Sequence, residues 1–298
     1  MLTPVTQGSK VGIITPSAAL NGPEDIRNGL RYLQQTLGFE VVLGNYVYEN
    51  FHNMGGTPRQ RAEDVMRFFA DPEIKAVFAT RGGFGAQYIL PELDYDIIGR
   101  NPKPIIGFSD ITALQTGIFA KTGNISYAGP LLGFDFATHT IHPQTAASLQ
   151  QILQGNAADI CSGQRLRSGR ATGTLLGTNL CVLMHLCGTP YFPDLRNSIL
   201  LLEDVDEKSY RIERMLLWLQ QQQGFSGVRG IIFGQFTNCG QNSPHDRDVN
   251  TLLTDFAADF NIPMIKNFAF GHVAARYVLP LGAKVQMDAD ACRLQFIA

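Results

Sequence analysis

Apolar and polar positions in the first half of the chain alternate between two rhythms. Residues 10–14 (KVGII) form a continuous apolar run stopped by Pro16, as expected of a strand buried on both faces. Residues 23–37 carry apolar positions at helical spacing, with Asn21 as a candidate cap and Gly38 as the stop. Residues 39–43 read as a second strand. Thr57-Pro58 sets a capping hydroxyl before a proline at the first helical position and opens a helix to about Ala70. Residues 75–80 (KAVFAT) and 104–108 (PIIGF) read as strands, 110–121 as a helix and 125–128 as a short strand. This alternation predicts an α/β fold whose N-terminal parallel sheet is flanked by helices. Ligands of such sheets bind beyond the carboxyl ends of strands. Three loops leave such ends: 15–19, 81–85 and 108–110.

The rhythm changes after residue 155. Gln154-Gly155-Asn156 closes a helix, and residues 162–173 (SGQRLRSGRATG) are polar and glycine-rich. We expect an N-terminal α/β domain over 1–155, a linker over 156–169 and a smaller C-terminal α+β domain over 170–298. In the latter, residues 198–202 (SILLL) read as a strand running into Glu203-Asp204, 209–223 as an amphipathic helix closed by Gly224, and 230–236 as a strand. The alternation over 277–297 suggests antiparallel strands.

Composition narrows the function. With 45% hydrophobic and 17% charged residues among 298, the chain is no disordered segment. A net charge of −2 argues against nucleic acid or an anionic membrane as the main partner. No apolar run reaches membrane-span length, and the start lacks a cationic segment followed by an apolar one, so no signal peptide is expected. Five cysteines, an odd number without a Cys-x-x-Cys, predict reduced, buried thiols and a cytoplasmic location. His139 and His142 have a His-x-x-His spacing but no acidic third ligand nearby, so no metal is expected.

Two loops carry candidate chemistry. In Gly107-Phe108-Ser109-Asp110-Ile111-Thr112, a serine falls between a strand and a helix. There a sharp turn lifts the hydroxyl clear of the sheet and the helix N-terminus offers N–H groups to an oxyanion. The bland alternative is that Ser109 or Asp110 only caps the helix. Arg81-Gly82-Gly83-Phe84-Gly85 leaves the neighbouring strand; its glycines allow close backbone approach or an anion-binding nest, or form a plain turn. A serine nucleophile needs a base and an orienting acid. His185 lies in apolar sequence and reads as core; His52 and His245 read as surface. His272, beside Gly271 beyond a predicted strand, is a plausible site position. Glu203 at a buried strand end needs a partner, Arg211 or Arg214 in the structural reading.

These fragments resemble the L,D-carboxypeptidases, or muramoyltetrapeptide carboxypeptidases, a serine peptidase family. The resemblance rests on Thr80-Arg81-Gly82-Gly83-Phe84-Gly85, on residues 107–114 (GFSDITAL) and on Gly129-Pro130. It continues through 173–180 (GTLLGTNL), Gly188-Thr189-Pro190, Leu202-Glu203-Asp204-Val205 and Phe270-Gly271-His272. Phe84 and Phe108 stand where tyrosine is common in the family. The resemblance implies a triad of Ser109, His272 and Glu203, with an oxyanion hole from the backbone N–H groups of Gly83 and Asp110. It implies no cofactor, a homodimer, and release of terminal D-Ala from a cytoplasmic murein tetrapeptide. Arg81 and Gly82 are candidates for substrate binding. Relatives that inactivate microcin-type peptidyl-nucleotide antibiotics give an alternative substrate, and a non-catalytic α/β small-molecule binder is the alternative of another class.

Overall fold

The computed structural model describes residues 3–137, 140–156, 158–241 and 243–297. His139 therefore lies outside the described residues. The chain packs as two units: residues 3–156 with Tyr277–Leu281, and residues 158–276 with 282–297.

The first unit runs β1 (Lys10–Ile14), α1 (Glu24–Arg31), β2 (Glu40–Leu43), α2 (Pro58–Ala70), β3 (Ile74–Ala79), α3 (Tyr95–Arg100), β4 (Ile105–Gly107), α4 (Ile111–Thr122), β5 (Ser126–Ala128) and α5 (Pro143–Leu153). Its strands pair in the order β2-β1-β3-β4-β5, all parallel, as the alternation predicts. Val11, Ile13, Phe78 and Ile106 are fully buried in this sheet. Each such side chain contributes about 1.5–3 kcal/mol relative to exposure. Helix α2 begins as read, with Thr57 and Gln60 forming a reciprocal capping box. Helix α1 does not. Pro23 precedes it without a side-chain cap, and Asn21 instead donates through its N–H and Nδ2 to Asp25. Its last turn widens, Leu37 N–H reaching back five residues to Tyr32 C=O.

The second unit contains β6 (Ile160–Cys161), β7 (Gln164–Arg167), β8 (Arg170–Asn179), α6 (Leu180–His185), β9 (Ser198–Val205), α7 (Ser209–Gln220), β10 (Gly230–Thr237), α8 (Val249–Ala258) and β11 (Met264–Lys266). After β12 (Leu279–Leu281) come β13 (Lys284–Asp288) and β14 (Arg293–Phe296). Strand β12 belongs to the first unit and pairs antiparallel with β5. The second sheet is mixed. Its centre β8-β9-β10-β11 is parallel, and β13, β14, β6 and β7 join it antiparallel. The antiparallel tail agrees with the sequence pattern; the parallel centre is an addition to it. The stretch expected to be linker holds β6 and β7.

Among the described residues, no helix is long and apolar enough to cross a membrane.

Candidate active site

In the first sheet the strand order changes direction between β1 and β3, the place where doubly wound folds open a crevice at the carboxyl edge. The loops after β1, β3 and β4 leave this edge side by side. Ala18 N–H donates to Gly82 C=O at 3.3 Å, and the Ser17 hydroxyl donates to Asp110 Oδ2 at 2.5 Å.

Ser109 occupies the turn between β4 and α4 with φ = 64°. A non-glycine residue in this left-handed region costs about 1–3 kcal/mol, so the surroundings must hold it there. They do so from two sides. Gln115 Nε2 donates to Gly107 C=O at 3.0 Å, fixing the end of β4, and Thr112 N–H donates to Ser109 C=O at 2.9 Å. Across the turn stands Gly82, where a methyl group would lie 2.9 Å from Ser109 Cβ, 3.0 Å from its Oγ and 3.5 Å from the Asp110 nitrogen. Glycine is therefore required at 82, and its backbone, the serine hydroxyl and the first N–H of the helix region meet at one point. Gly83 follows with φ = 114° and is exposed. Arg81 is half-buried and donates through Nη1 to Ala19 C=O at 3.0 Å.

The helix-cap alternative does not hold for Asp110. Asp110 precedes α4 but makes no side-chain cap. Its buried carboxylate faces the other way, accepting from Ser17 Oγ and from Ala86 N–H at 2.8 Å. Burial pushes this carboxyl above its ordinary range, while the Ser17 hydroxyl, the Ala86 N–H and the nearby Arg61 charge oppose the shift.

The second unit builds a His–carboxylate pair. Strand β9 continues through Glu203 to Val205, so Glu203 is a fully buried strand residue beside Asn179 of β8. His272 Nδ1 lies 2.8 Å from Glu203 Oε2. The partner of Glu203 is thus His272 and not an arginine; Arg211 pairs with Glu207 at the surface. Backbone irregularity makes this contact possible. The register of β10 against β9 shifts between Phe233 and Phe236, and Gln235 N–H donates to Phe270 C=O at 2.8 Å. A methyl on Gly234 would lie 2.5 Å from Phe270 O, and one on Gly271 (φ = 128°) would lie 3.1 Å from Glu203 Oε2. The two glycines clear the space in which the imidazole meets the carboxylate.

Sequence reading missed two parts of this pair's support. Asn179 Nδ2 donates to Asp204 Oδ1 at 3.0 Å and approaches Glu203 Oε1 at 3.4 Å. Burial, then the neighbouring Glu203 charge, push the Asp204 carboxyl up to about 7 against three stabilising hydrogen bonds. The Glu203-Asp204 dipeptide after an apolar run was the available signal.

Residues 11–129 match the LD-carboxypeptidase N-terminal domain and residues 172–287 the LD-carboxypeptidase C-terminal domain. The probable murein peptide carboxypeptidase of Bacillus subtilis (strain 168) is 33% identical over 95% of this chain and 90% of its own length. The chain belongs to the LD-carboxypeptidase family. It is accordingly a hydrolase of a serine peptidase family. The LD-carboxypeptidase fold is also seen in neighbours of known structure. The microcin self-immunity protein MccF of Escherichia coli is 30% identical over 97% of this chain and 93% of its own. MccF solved with aspartyl sulfamoyl adenosine superposes with TM-score 0.90 at 28% identity, across 100% and 98% of the two chains. The muramoyltetrapeptide carboxypeptidase from Oxalobacter formigenes gives TM-score 0.87 at 26% identity, across 96% and 97%.

The remaining histidines and cysteines hold several corrections. His185 is exposed at the end of α6, its Nδ1 2.6 Å from Cys181 C=O, because it falls on the solvent side of a helix that buries Leu183 and Met184. His142 caps α5 by accepting from Gln144 N–H. The five cysteines are free thiols, but none is fully buried as the sequence predicts: Cys161 is exposed and Cys181, Cys187, Cys239 and Cys292 are half-buried. Burial pushes Cys181 and Cys239 up to about 12 and Cys187 to about 11, which keeps them as unreactive thiols at neutral pH. Among the described residues no group of three or more His, Cys, Asp or Glu is arranged to hold a metal ion.

Proposed function

We propose that this LD-carboxypeptidase releases the terminal D-Ala of a murein tetrapeptide in the cytoplasm through an acyl-enzyme on Ser109. The observation that carries the reading is the buried Glu203 bonded to His272 Nδ1 at 2.8 Å. A carboxylate on Nδ1 holds the imidazole in one tautomer and orientation and stabilises the imidazolium, leaving Nε2 for proton transfer. In this reading His272 Nε2 takes the Ser109 proton as Oγ bonds to the scissile carbonyl carbon. The N–H groups of Gly83 and Asp110 stabilise the oxyanion; losing one such donor costs about 100- to 1000-fold in rate. The C–N bond then breaks, the proton passes from His272 to the departing D-Ala amine, and water hydrolyses the ester by the same relay. Arg81, beside the Gly82 turn, is the candidate cation for the substrate's terminal carboxylate.

Ser109→Ala tests the reading. It should lower turnover of a defined L,D-tetrapeptide by about 10⁴ or more with the fold intact; a folded variant with near-normal turnover rejects the nucleophile. A second reading, supported by the likeness to MccF, gives the same machinery a peptidyl-nucleotide substrate. Parallel hydrolysis of the tetrapeptide and an aminoacyl sulfamoyl adenosine separates the two. The homodimeric state implied by the family resemblance is checked by sedimentation against the 32.8 kDa chain mass.

A further inference from the structure

One buried charge in the first unit has no part in the chemistry above. Arg61, on α2, is almost fully buried. Its guanidinium gathers backbone carbonyls from three loops: Nε donates to Gly56 at 3.1 Å, and Nη1 donates to Pro16 at 2.6 Å and to Gly85 at 2.7 Å. Pro16 precedes Ser17, the donor to Asp110, and Gly85 closes the Gly82-Gly83 turn and precedes Ala86, the second donor to Asp110. Gly85 itself has φ = 121°, and a methyl there would lie 3.0 Å from Arg61 Nη1 and 2.7 Å from Met54 Sδ. The arginine and the aspartate therefore bond the same two loops at adjacent residues.

An electrostatic problem gives the arrangement its sense. The Asp110 N–H is a proposed oxyanion donor, yet the same residue carries a buried carboxylate that would repel the oxyanion. A fixed positive charge close to that carboxylate offsets the repulsion and, in a site of low dielectric, costs no reorganisation during the reaction. We propose that Arg61 is a positioning residue for the oxyanion-stabilising loop, holding Gly83 in place through the Pro16 and Gly85 carbonyls and balancing the Asp110 carboxylate. This rests on the acyl-transfer reading of Ser109, Gly83 and Asp110 given above.

The test uses the full chain and a defined L,D-tetrapeptide. Arg61→Met should lower kcat by about 100-fold, the scale of a misplacement near 1 Å, with KM changed less than about twofold. Asp110→Asn added to Arg61→Met should regain about tenfold in kcat, because it removes the charge that Arg61 balances while keeping an acceptor for Ser17 and Ala86. A merely structural arginine predicts no such gain. Wild-type kcat in folded Arg61→Met, or a double variant no faster than the single, overturns the proposal. If Arg61→Met does not fold, Arg61→Lys decides: it keeps the charge but not the fork, so reduced kcat at unchanged KM supports the proposal and wild-type kcat overturns it. Ser109→Ala run alongside separates the two levels. An active Ser109→Ala rejects the acyl-transfer reading itself, whereas an inactive one beside a fully active Arg61→Met rejects only the role of Arg61.

Discussion

Gly82→Ala replaces a hydrogen by a methyl group at a crowded point of the candidate site, beside Ser109. The new methyl would lie 2.9 Å from Ser109 Cβ and 3.0 Å from its Oγ. Non-bonded carbons settle at about 3.5–4.0 Å, so one side must retreat by roughly 0.6 Å or more. Gly82 does not have a positive φ, so alanine strains no dihedral there and the whole perturbation is steric. Ser109 cannot rotate away freely, because its own φ of 64° is already held by the β4 and α4 contacts. A displacement of about 1 Å costs about 100-fold, so a retreat of this size should lower kcat by about 10- to 100-fold, or about 1.4–2.7 kcal/mol of activation free energy. Overpacking should also reduce stability by about 1–3 kcal/mol. Steady-state hydrolysis of an L,D-tetrapeptide reads the first effect and denaturant unfolding the second. A folded Gly82→Ala protein with wild-type kcat would refute the reasoning, since it would mean that the crowded hydroxyl is not the reacting group.

Two stability predictions follow from buried titratable groups. Asp204 is raised to about 7 from the ordinary carboxylate range, so the folded state holds its proton where the unfolded chain has lost it. Its contribution is complete below about pH 4 and is lost as pH rises through about 7, by at most about 1.4 kcal/mol per pH unit; Asp204→Asn should flatten this fall in melting temperature, and an unchanged slope would contradict the assignment. Lys103 caps the end of α2 by donating to Phe68 C=O at 2.8 Å and Asp71 C=O at 2.6 Å, and burial lowers it to about 8. Stability of the wild type relative to Lys103→Met should therefore rise between about pH 8 and 10.4; a difference independent of pH would show that the ammonium is not desolvated.

Where local pattern decides structure, the sequence was legible. Thr57-Pro58 announces α2 because capping and the proline dihedral act within one turn, and the apolar runs of β1 and β4 locate the loops that carry Ser17 and Ser109. The carboxyl-edge rule then points to the loops after β1, β3 and β4, which hydrogen bonds join in the fold. The His272–Glu203 contact is of another kind. The two residues are far apart in the chain, and they meet through the β9–β10 register, the shift after Phe233 and two glycines that only the packed sheet explains. The parallel centre of the second sheet was missed because β8 (RATGTLLGTN) begins polar and β11 has only three residues. The burial of the Arg61 and Asp110 charges gives no local signal either. A buried charge looks in sequence like any surface residue, and α2 carries other arginines that are solvated.

We propose Ser109 as a nucleophile activated by His272. The most direct measurement is the rate and site of covalent labelling by a serine-reactive phosphonate, read by peptide mass spectrometry in the wild type and in His272→Ala. A single adduct on Ser109 is expected, forming at least about 1000-fold more slowly without the imidazole. An adduct on a different residue, or equal labelling of Ser109 in both proteins, would contradict it.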